Sequence, residues 1–236
     1  MKNFHTTFLG SIIPVFLLGF ACNAGADILV KYDFIAASPV PSLSGSGVTT
    51  QNFTYANGGD EGGGSSTDIG FSTSGNAYLR TDSTGSTEAA ALADDDYFSF
   101  TISATSPGDL LNLTSLDFDF GGSNLSNNPA YNATIYVQSS VGGFGTGNPV
   151  LFTDTHTIPY SVTTFSSSPG SLDLSGMADI STITFQFRFA DTITTSGVAN
   201  RLDNVVLTGT VIPEPGTFML LLGSITAFGL MCRRRS

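Results

Sequence analysis

The middle of the chain alternates apolar and polar residues, and this feature restricts its fold most strongly. Every second residue is Phe or Ile from Phe98 to Ile102, and again from Ile183 to Phe189. Successive side chains of a β-strand point to opposite faces, so a period of two is typical of strands with one buried face. No segment shows apolar residues at helical spacing between caps, and Ala89–Ala93 offers one helical turn at most. The middle region is therefore predicted to be all-β.

The alternating segments are separated by stretches rich in Gly, Ser, Thr, Asn and Pro, which indicate turns. The predicted strands are Ile28–Ile35, Tyr97–Ala104, Leu116–Phe120, Ala133–Gln138, Ile183–Phe189 and Leu202–Val211. One apolar face per strand has to be covered by a second sheet, so we expect a β-sandwich resembling a jelly roll. The phenylalanines of these segments are then core residues: Phe98, Phe100, Phe118, Phe120, Phe185, Phe187 and Phe189.

The charge and cysteine content of residues 27–212 exclude several functions. This stretch is long enough for a single domain with its own core. It holds four basic and eighteen acidic residues, a formal net charge of −14. Nucleic-acid phosphates would repel such a domain, so nucleic-acid binding is excluded. Both cysteines, Cys22 and Cys232, lie outside it. We therefore expect no disulfide, no thiol catalysis and no cysteine metal site in the domain.

Residues 1–26 are organised as a signal peptide. A basic residue near the start is followed by the apolar run Phe8–Phe20. This run of 13 residues is shorter than the roughly 20 that span a bilayer. Ala24 and Ala26 form an A-x-A pattern, so cleavage after Ala26 is expected and cleavage after Ala24 is the close alternative. Lipid attachment at Cys22 is a second alternative, although bulky Phe20 is unfavourable for it.

The C-terminal residues 213–236 fall into three consecutive parts. Pro213-Glu214-Pro215 is a stiff, extended tripeptide, because each proline fixes its own φ and disfavours helix in its predecessor. Residues 217–232 form an uncharged apolar stretch, which spans about 24 Å as a helix and is a candidate transmembrane segment. Arg233–Arg235 follows it as a basic stop that stays on the cytoplasmic side.

This tripartite tail resembles the PEP-CTERM sorting signal. The residues that carry the resemblance are Pro213, Glu214, Pro215 and Gly216, the apolar stretch, and the cluster of Arg233, Arg234 and Arg235. The resemblance implies recognition by an exosortase, a membrane transpeptidase-like enzyme of Gram-negative bacteria that make extracellular polysaccharide. It also implies an exported protein that is membrane-anchored before processing and then held in the envelope or released. A plain single-span anchor is the alternative.

Three groups of acidic residues are candidate sites. Asp94–Asp96 are consecutive, so their side chains diverge and a solvated loop is expected. Asp117 and Asp119 share one strand face, as a glycosidase pair could, but alternation with phenylalanine marks that face as solvent-exposed. The stretch 202–205 resembles the closing strand of carbohydrate-binding-type jelly rolls. That resemblance implies a structural calcium site at Asp203, with Asp33 of the first strand as its partner.

These observations favour a non-catalytic exported module of the cell surface or extracellular matrix, with no cofactor other than the calcium of that resemblance. The alternative is a carbohydrate-binding or adhesive module that contacts extracellular polysaccharide. Sugar binding uses exposed aromatic rings, and the chain has no tryptophan. Its candidate rings lie in or near predicted loops: Tyr55, Tyr78, Tyr131 and Tyr160.

Overall fold

A computed structural model describes residues 25–56, 69–80, 87–93, 96–124, 128–162, 164–193 and 198–214. Strands dominate these ranges, as the alternation of the sequence predicts. The strands are β1 (Asp27–Tyr32), β2 (Leu43–Ser44), β3 (Val48–Thr50), β4 (Thr54–Ala56), β5 (Ile69–Ser72), β6 (Asn76–Arg80), β7 (Tyr97–Ala104), β8 (Leu110–Asn124), β9 (Tyr131–Ser139), β10 (Phe152–Ile158), β11 (Ser166–Asp173), β12 (Thr182–Asp191) and β13 (Val198–Ile212). One short helix, α1 (Glu88–Ala93), and one 3-10 turn, Ile35–Ala37, complete the described elements.

The described strands form two antiparallel sheets. Sheet A has the order β11-β8-β13-β1-β2, with β6 also pairing with β13 and β5 with β6. Sheet B has the order β10-β9-β12-β7-β3, with β4 also pairing with β7. The all-β prediction is confirmed, and the two sheets fit the expected β-sandwich. The six predicted strands correspond to β1, β7, β8, β9, β12 and β13, and β7 has the predicted bounds.

Aromatic side chains fill the space between the two sheets. The rings of Phe118 on β8 and Phe187 on β12 meet edge to face with centroids 5.4 Å apart. Tyr32 on β1 contacts Phe100 on β7 at a centroid distance of 5.3 Å. All seven phenylalanines predicted to be core residues are at most 3% exposed. Burial of such side chains supplies the main stabilisation of the domain, at roughly 1.5–3 kcal/mol each.

The predicted first strand is wrong at its C-terminal end. β1 ends at Tyr32 rather than at Ile35, because Phe34 and Ala36 adopt left-handed backbone conformations with φ of 48° and 55°. The apolar alternation nevertheless continues, since Phe34 is fully buried and its ring contacts that of Phe53 at 4.9 Å. The chain therefore turns out of the sheet while Phe34 stays in the core.

The outer face of β12 also departs from the alternation. Gln186 and Arg188 occupy positions predicted to face solvent, yet they are only 7% and 5% exposed. Helix α1 packs against this face, and the Arg188 guanidinium donates to the carbonyl of Ala91 at 3.4 Å. The same guanidinium lies 4.7 Å from the centroid of the Tyr97 ring, a cation–π contact. A short helix therefore converts part of an outer sheet face into interior.

Candidate functional site

The sorting motif begins where the last strand leaves the domain. β13 ends at Ile212, and Pro213 and Glu214 follow it as exposed, non-strand residues. The Glu214 amide donates to Oδ1 of Asp109, in the turn between β7 and β8, at 3.1 Å. Its carboxyl group lies over Gly108, which has φ +88° and where a Cβ would overlap it. The first two motif residues are thus accessible and held against one turn.

The other predicted sorting residues lie outside the described ranges. These are Pro215, Gly216, the apolar stretch 217–232, and Arg233, Arg234 and Arg235. Within the described ranges, no helix is long and apolar enough to cross a membrane. The predicted transmembrane stretch therefore remains a prediction.

The expected signal peptide also lies almost entirely outside the described residues, including Ala24. Ala26 is described: it is exposed and directly precedes β1. Asp27, the first residue of β1, pairs with Gly209 on β13. The start of the domain and its C-terminal exit therefore lie at the same end of sheet A.

Asp33 and Asp203, the expected calcium pair, lie near enough for the charge of Asp33 to act on the Asp203 carboxyl group. A β-bulge interrupts the pairing of β13 with β8 between Asp203 and Val206, and Asn204 has a left-handed φ of 49°. In this bulge, Oδ1 of Asp203 accepts a hydrogen bond from the Asn204 amide at 2.7 Å. The Asn204 side-chain amide donates to Oδ2 of Asp119 at 2.8 Å. The bulge thus brings the Asp203 and Asp119 carboxylates together through Asn204.

This concentration of negative charge perturbs Asp203. Partial burial, the largest cause, acts together with the nearby charges of Asp119 and Asp33 to raise the pKa of Asp203 to about 6, against the opposing hydrogen bond from Asn204 and the charge of Lys31. Carboxylate oxygens suit calcium. In the described ranges, however, no three His, Cys, Asp or Glu side chains are arranged to hold a metal ion. Calcium binding at Asp33 and Asp203 therefore remains a prediction.

The remaining acidic candidates have structural partners. Asp117 is half-buried and accepts hydrogen bonds from the hydroxyls of Ser115 at 2.7 Å and Ser171 at 2.5 Å. It lies on the outer face of β8, opposite the buried face that carries Phe118, as predicted. Of Asp94–Asp96, only Asp96 is described, and its 5% exposure contradicts the expected solvated loop.

The candidate sugar-stacking tyrosines do not form one platform. Tyr131 was expected near a loop, but it lies in β9 and is 1% exposed, so it cannot stack on a ligand. Tyr78 is half-buried in β6. Tyr55 on β4 and Tyr160 after β10 are well exposed, but they lie at opposite edges of sheet B.

Sequence reasoning missed a group of buried polar residues at one end of the sandwich: Asn124, Asp191 and Asn200. Asn124 and Asp191 continue the inward-facing alternation of β8 and β12 beyond the last phenylalanine of each strand. Extending the alternation four residues beyond Phe120 and two residues beyond Phe189 would therefore have identified Asn124 and Asp191.

Comparison with known proteins adds one family match. The PEP-CTERM protein-sorting motif matches residues 211–235. No curated protein sequence matches the chain. Among solved structures, a mutant of the family 29 carbohydrate-binding module CBM29-2 has a TM-score of 0.32 and 12% identity, covering 79% of this chain and 92% of that one.

A second solved structure is TmCBM27, a carbohydrate-binding module described as recognising mannan. It has a TM-score of 0.39 and 13% identity, and covers 79% of this chain and 99% of that one. Similarity at this level assigns neither a ligand nor a family to the β domain.

The fold and the tail together define a class: an all-β domain followed directly by a C-terminal sorting signal. The chain is a PEP-CTERM domain protein. The motif implies an exported protein that is processed for the cell envelope.

Proposed function

We propose that this protein is a non-catalytic module of the cell surface or extracellular matrix, which exosortase sorts through the C-terminal tail. The observation that carries the proposal is the sorting motif at residues 211–235. Within it, Pro213 and Glu214 follow the end of β13 and are exposed. An enzyme that acts on a peptide needs such an accessible, extended segment. The stiff prolines favour that conformation in the free chain.

The geometry of the two domain ends supports this route. A signal peptide ending at Ala26 and a membrane segment at 217–232 would leave from the same end of sheet A, since Asp27 pairs with Gly209. The folded domain can therefore stand on one side of the bilayer while both segments enter it, with the arginines retained in the cytoplasm. In this arrangement the motif lies between the domain and the membrane surface, within reach of a membrane-bound enzyme.

We also propose that the β-sandwich is a jelly roll. From β7 onward the chain moves repeatedly between the sheets, with β8, β11 and β13 in sheet A and β7, β9, β10 and β12 in sheet B. Such crossings are typical of double-sheet jelly rolls. The hydroxyls of Ser115 and Ser171 donate to the Asp117 carboxylate, which supports a structural rather than a catalytic role for Asp117.

The experiment that tests the sorting proposal replaces Pro213-Glu214-Pro215 with three alanines, which preserves the length of the tail. We expect full-length precursor to accumulate in the cytoplasmic membrane, measured by fractionation and immunoblotting. A matched control places alanine at exposed Thr73 and Ser74, in a turn of the domain. Unchanged processing of the tail variant would refute exosortase recognition.

A second candidate function is the binding or adhesion of extracellular polysaccharide. The observation that favours it is the exposure of the Tyr55 and Tyr160 rings, 44% and 61%, since exposed aromatic faces can stack on sugars. The test is a polysaccharide array, with Tyr55→Ala and Tyr160→Ala as variants and Tyr160→Phe as the control that keeps the ring. Absence of binding by the wild-type protein leaves the matrix role.

A further inference from the structure

One end of the space between the sheets is lined by polar side chains instead of phenylalanine. On β8 the inward face continues from Phe120 to Asn124, and on β12 it continues from Phe189 to Asp191. Asn200 of β13 faces the same space and pairs with Gly122 of β8. Asn124, Asp191 and Asn200 are 0%, 3% and 0% exposed. We call these three residues the buried polar cluster.

The hydrogen bonds of the cluster fix the orientation of both amides. The Asn124 side-chain amide donates through Nδ2 to the carbonyls of Asn128 at 2.9 Å and Pro129 at 3.0 Å. The Asn200 amide donates through Nδ2 to Oδ2 of Asp191 at 3.1 Å. These partners accept only, so neither amide can be flipped. In consequence the Oδ1 atoms of Asn124 and Asn200 are buried acceptors without a hydrogen-bond partner.

The register places Asn124 and Asn200 at diagonal positions on one inward face of sheet A. Asn200 lies directly across from Gly122, and Asn124 is two residues further along the same face of β8. Side chains at such diagonal positions lie within about 8 Å of each other. The Tyr131 hydroxyl lies over Gly122, where a Cβ would overlap it, and donates to the carbonyl of Ala199 at 3.1 Å. Burial raises the pKa of this hydroxyl, the charge of Asp191 raises it further and the charge of Arg201 lowers it, so an anionic and a cationic side chain both act at this end of the sandwich.

Two buried acceptors without donors beside a buried carboxylate are costly. Each unsatisfied acceptor costs about 1–3 kcal/mol, whereas the Asp191 carboxylate already accepts hydrogen bonds from the Ile193 backbone amide at 3.0 Å and from Asn200. A hard cation would satisfy both free acceptors, because calcium binds carboxylate, side-chain amide and backbone carbonyl oxygens at about 2.3–2.6 Å in flexible geometry. Magnesium demands a stricter octahedral arrangement and retains water. The chemistry of the cluster therefore fits calcium best.

We propose that the buried polar cluster binds one calcium ion through the Asp191 carboxylate and the Oδ1 atoms of Asn124 and Asn200. Such an ion would join β8, β12 and β13, and thus tie sheet A to sheet B at the end where the phenylalanine core stops. This site is separate from the Asp33–Asp203 pair, which lies in the bulge of β13 and on the loop after β1. Calcium binding at this site would not depend on processing by exosortase, so this proposal goes beyond the sorting function.

The experiment measures calcium binding and thermal stability of the purified protein after EDTA treatment. We expect one calcium ion per chain by titration calorimetry. At a hundredfold excess over its dissociation constant, calcium should raise the melting temperature by roughly 5–10 °C. Asp191→Asn should abolish both effects, while Asp154→Asn, which removes an exposed carboxylate on β10, should retain them. Binding that survives Asp191→Asn and is lost in Asp203→Asn would place calcium at the bulge and overturn the proposal.

Terbium luminescence supplies a second measurement, which holds even if Asp191→Asn does not fold. Terbium replaces calcium at oxygen sites, and a nearby tyrosine sensitises its emission; the chain has no tryptophan to compete. We expect emission that Tyr131→Phe removes, while Tyr32→Phe, in the strand next to Asp33, preserves it. If the wild-type protein shows no emission and no melting shift, ordered water satisfies the cluster instead, and the proposal is wrong.

Discussion

The Asp203 carboxyl group gives the sharpest test of the electrostatics of the bulge. Burial together with the charges of Asp119 and Asp33 raises its pKa from the ordinary 3.8 to about 6. The folded state therefore holds this proton more tightly than the unfolded state. Well below pH 3.8 the group is protonated in both states and costs nothing. As the pH rises towards 6, Asp203 ionises first in the unfolded chain, so the free energy of unfolding falls. Above pH 6 the group is ionised in both states, and the full penalty remains.

The size of the penalty follows from the shift. A rise from 3.8 to about 6 corresponds to about 3 kcal/mol at full strength. The carboxyl is about half exposed, so solvent screening reduces this to roughly 1–2 kcal/mol. Asp203→Asn removes the charge and keeps an oxygen that can accept the hydrogen bond from the Asn204 amide. The variant should therefore gain roughly 1–2 kcal/mol over the wild-type protein between pH 4 and pH 7.

The assay is urea denaturation followed by circular dichroism at pH values from 4 to 7.5, with EDTA present so that no cation binds the carboxylates. The matched control is Asp154→Asn on β10, because Asp154 also accepts a hydrogen bond from the next amide, at 2.8 Å, but is exposed and lies in sheet B. A stability difference between Asp203→Asn and wild type that is independent of pH, or that shrinks as the pH rises, would refute the reasoning.

Three further predictions concern the core, the motif and the predicted calcium pair. Phe187→Ala should lower the free energy of unfolding by about 3–5 kcal/mol, measured by urea denaturation, because its ring joins the two sheets; a loss below 1 kcal/mol would contradict this. Asp109→Ala should accelerate precursor processing by up to about tenfold in a pulse-chase assay, since one hydrogen bond on Glu214 is removed. Asp173→Ala, which removes a similar bond to a backbone amide, is its control, and equal rates in both variants would count against a restraining contact. If calcium also binds at Asp33 and Asp203, the calcium-dependent rise in melting temperature should be smaller in Asp33→Asn than in wild type; an unchanged rise would remove that site.

The sequence by itself determined six of the described strands, the phenylalanine core and the sorting tail. Alternation with a period of two is a local property, because neighbouring residues of an extended chain face opposite sides. It therefore identified the segments that became β7, β9, β12 and β13, and the phenylalanines between the sheets. The tail is likewise a linear signal, in which rigid prolines, an apolar stretch and arginines follow one another. No contact between distant residues is needed to recognise it.

The tertiary structure alone decided which outward or terminal positions became interior. Gln186 and Arg188 are buried because α1, nearly a hundred residues earlier in the chain, covers β12. The left-handed turn at Phe34 ends β1 early because the ring packs against Phe53.

The polar end of the sandwich likewise depends on strand pairing. Asn124 and Asn200 face each other diagonally only because β8 pairs with β13 in one register. Burial, charge clustering and unsatisfied acceptors depend on which distant residues meet, and local alternation carries no information about that.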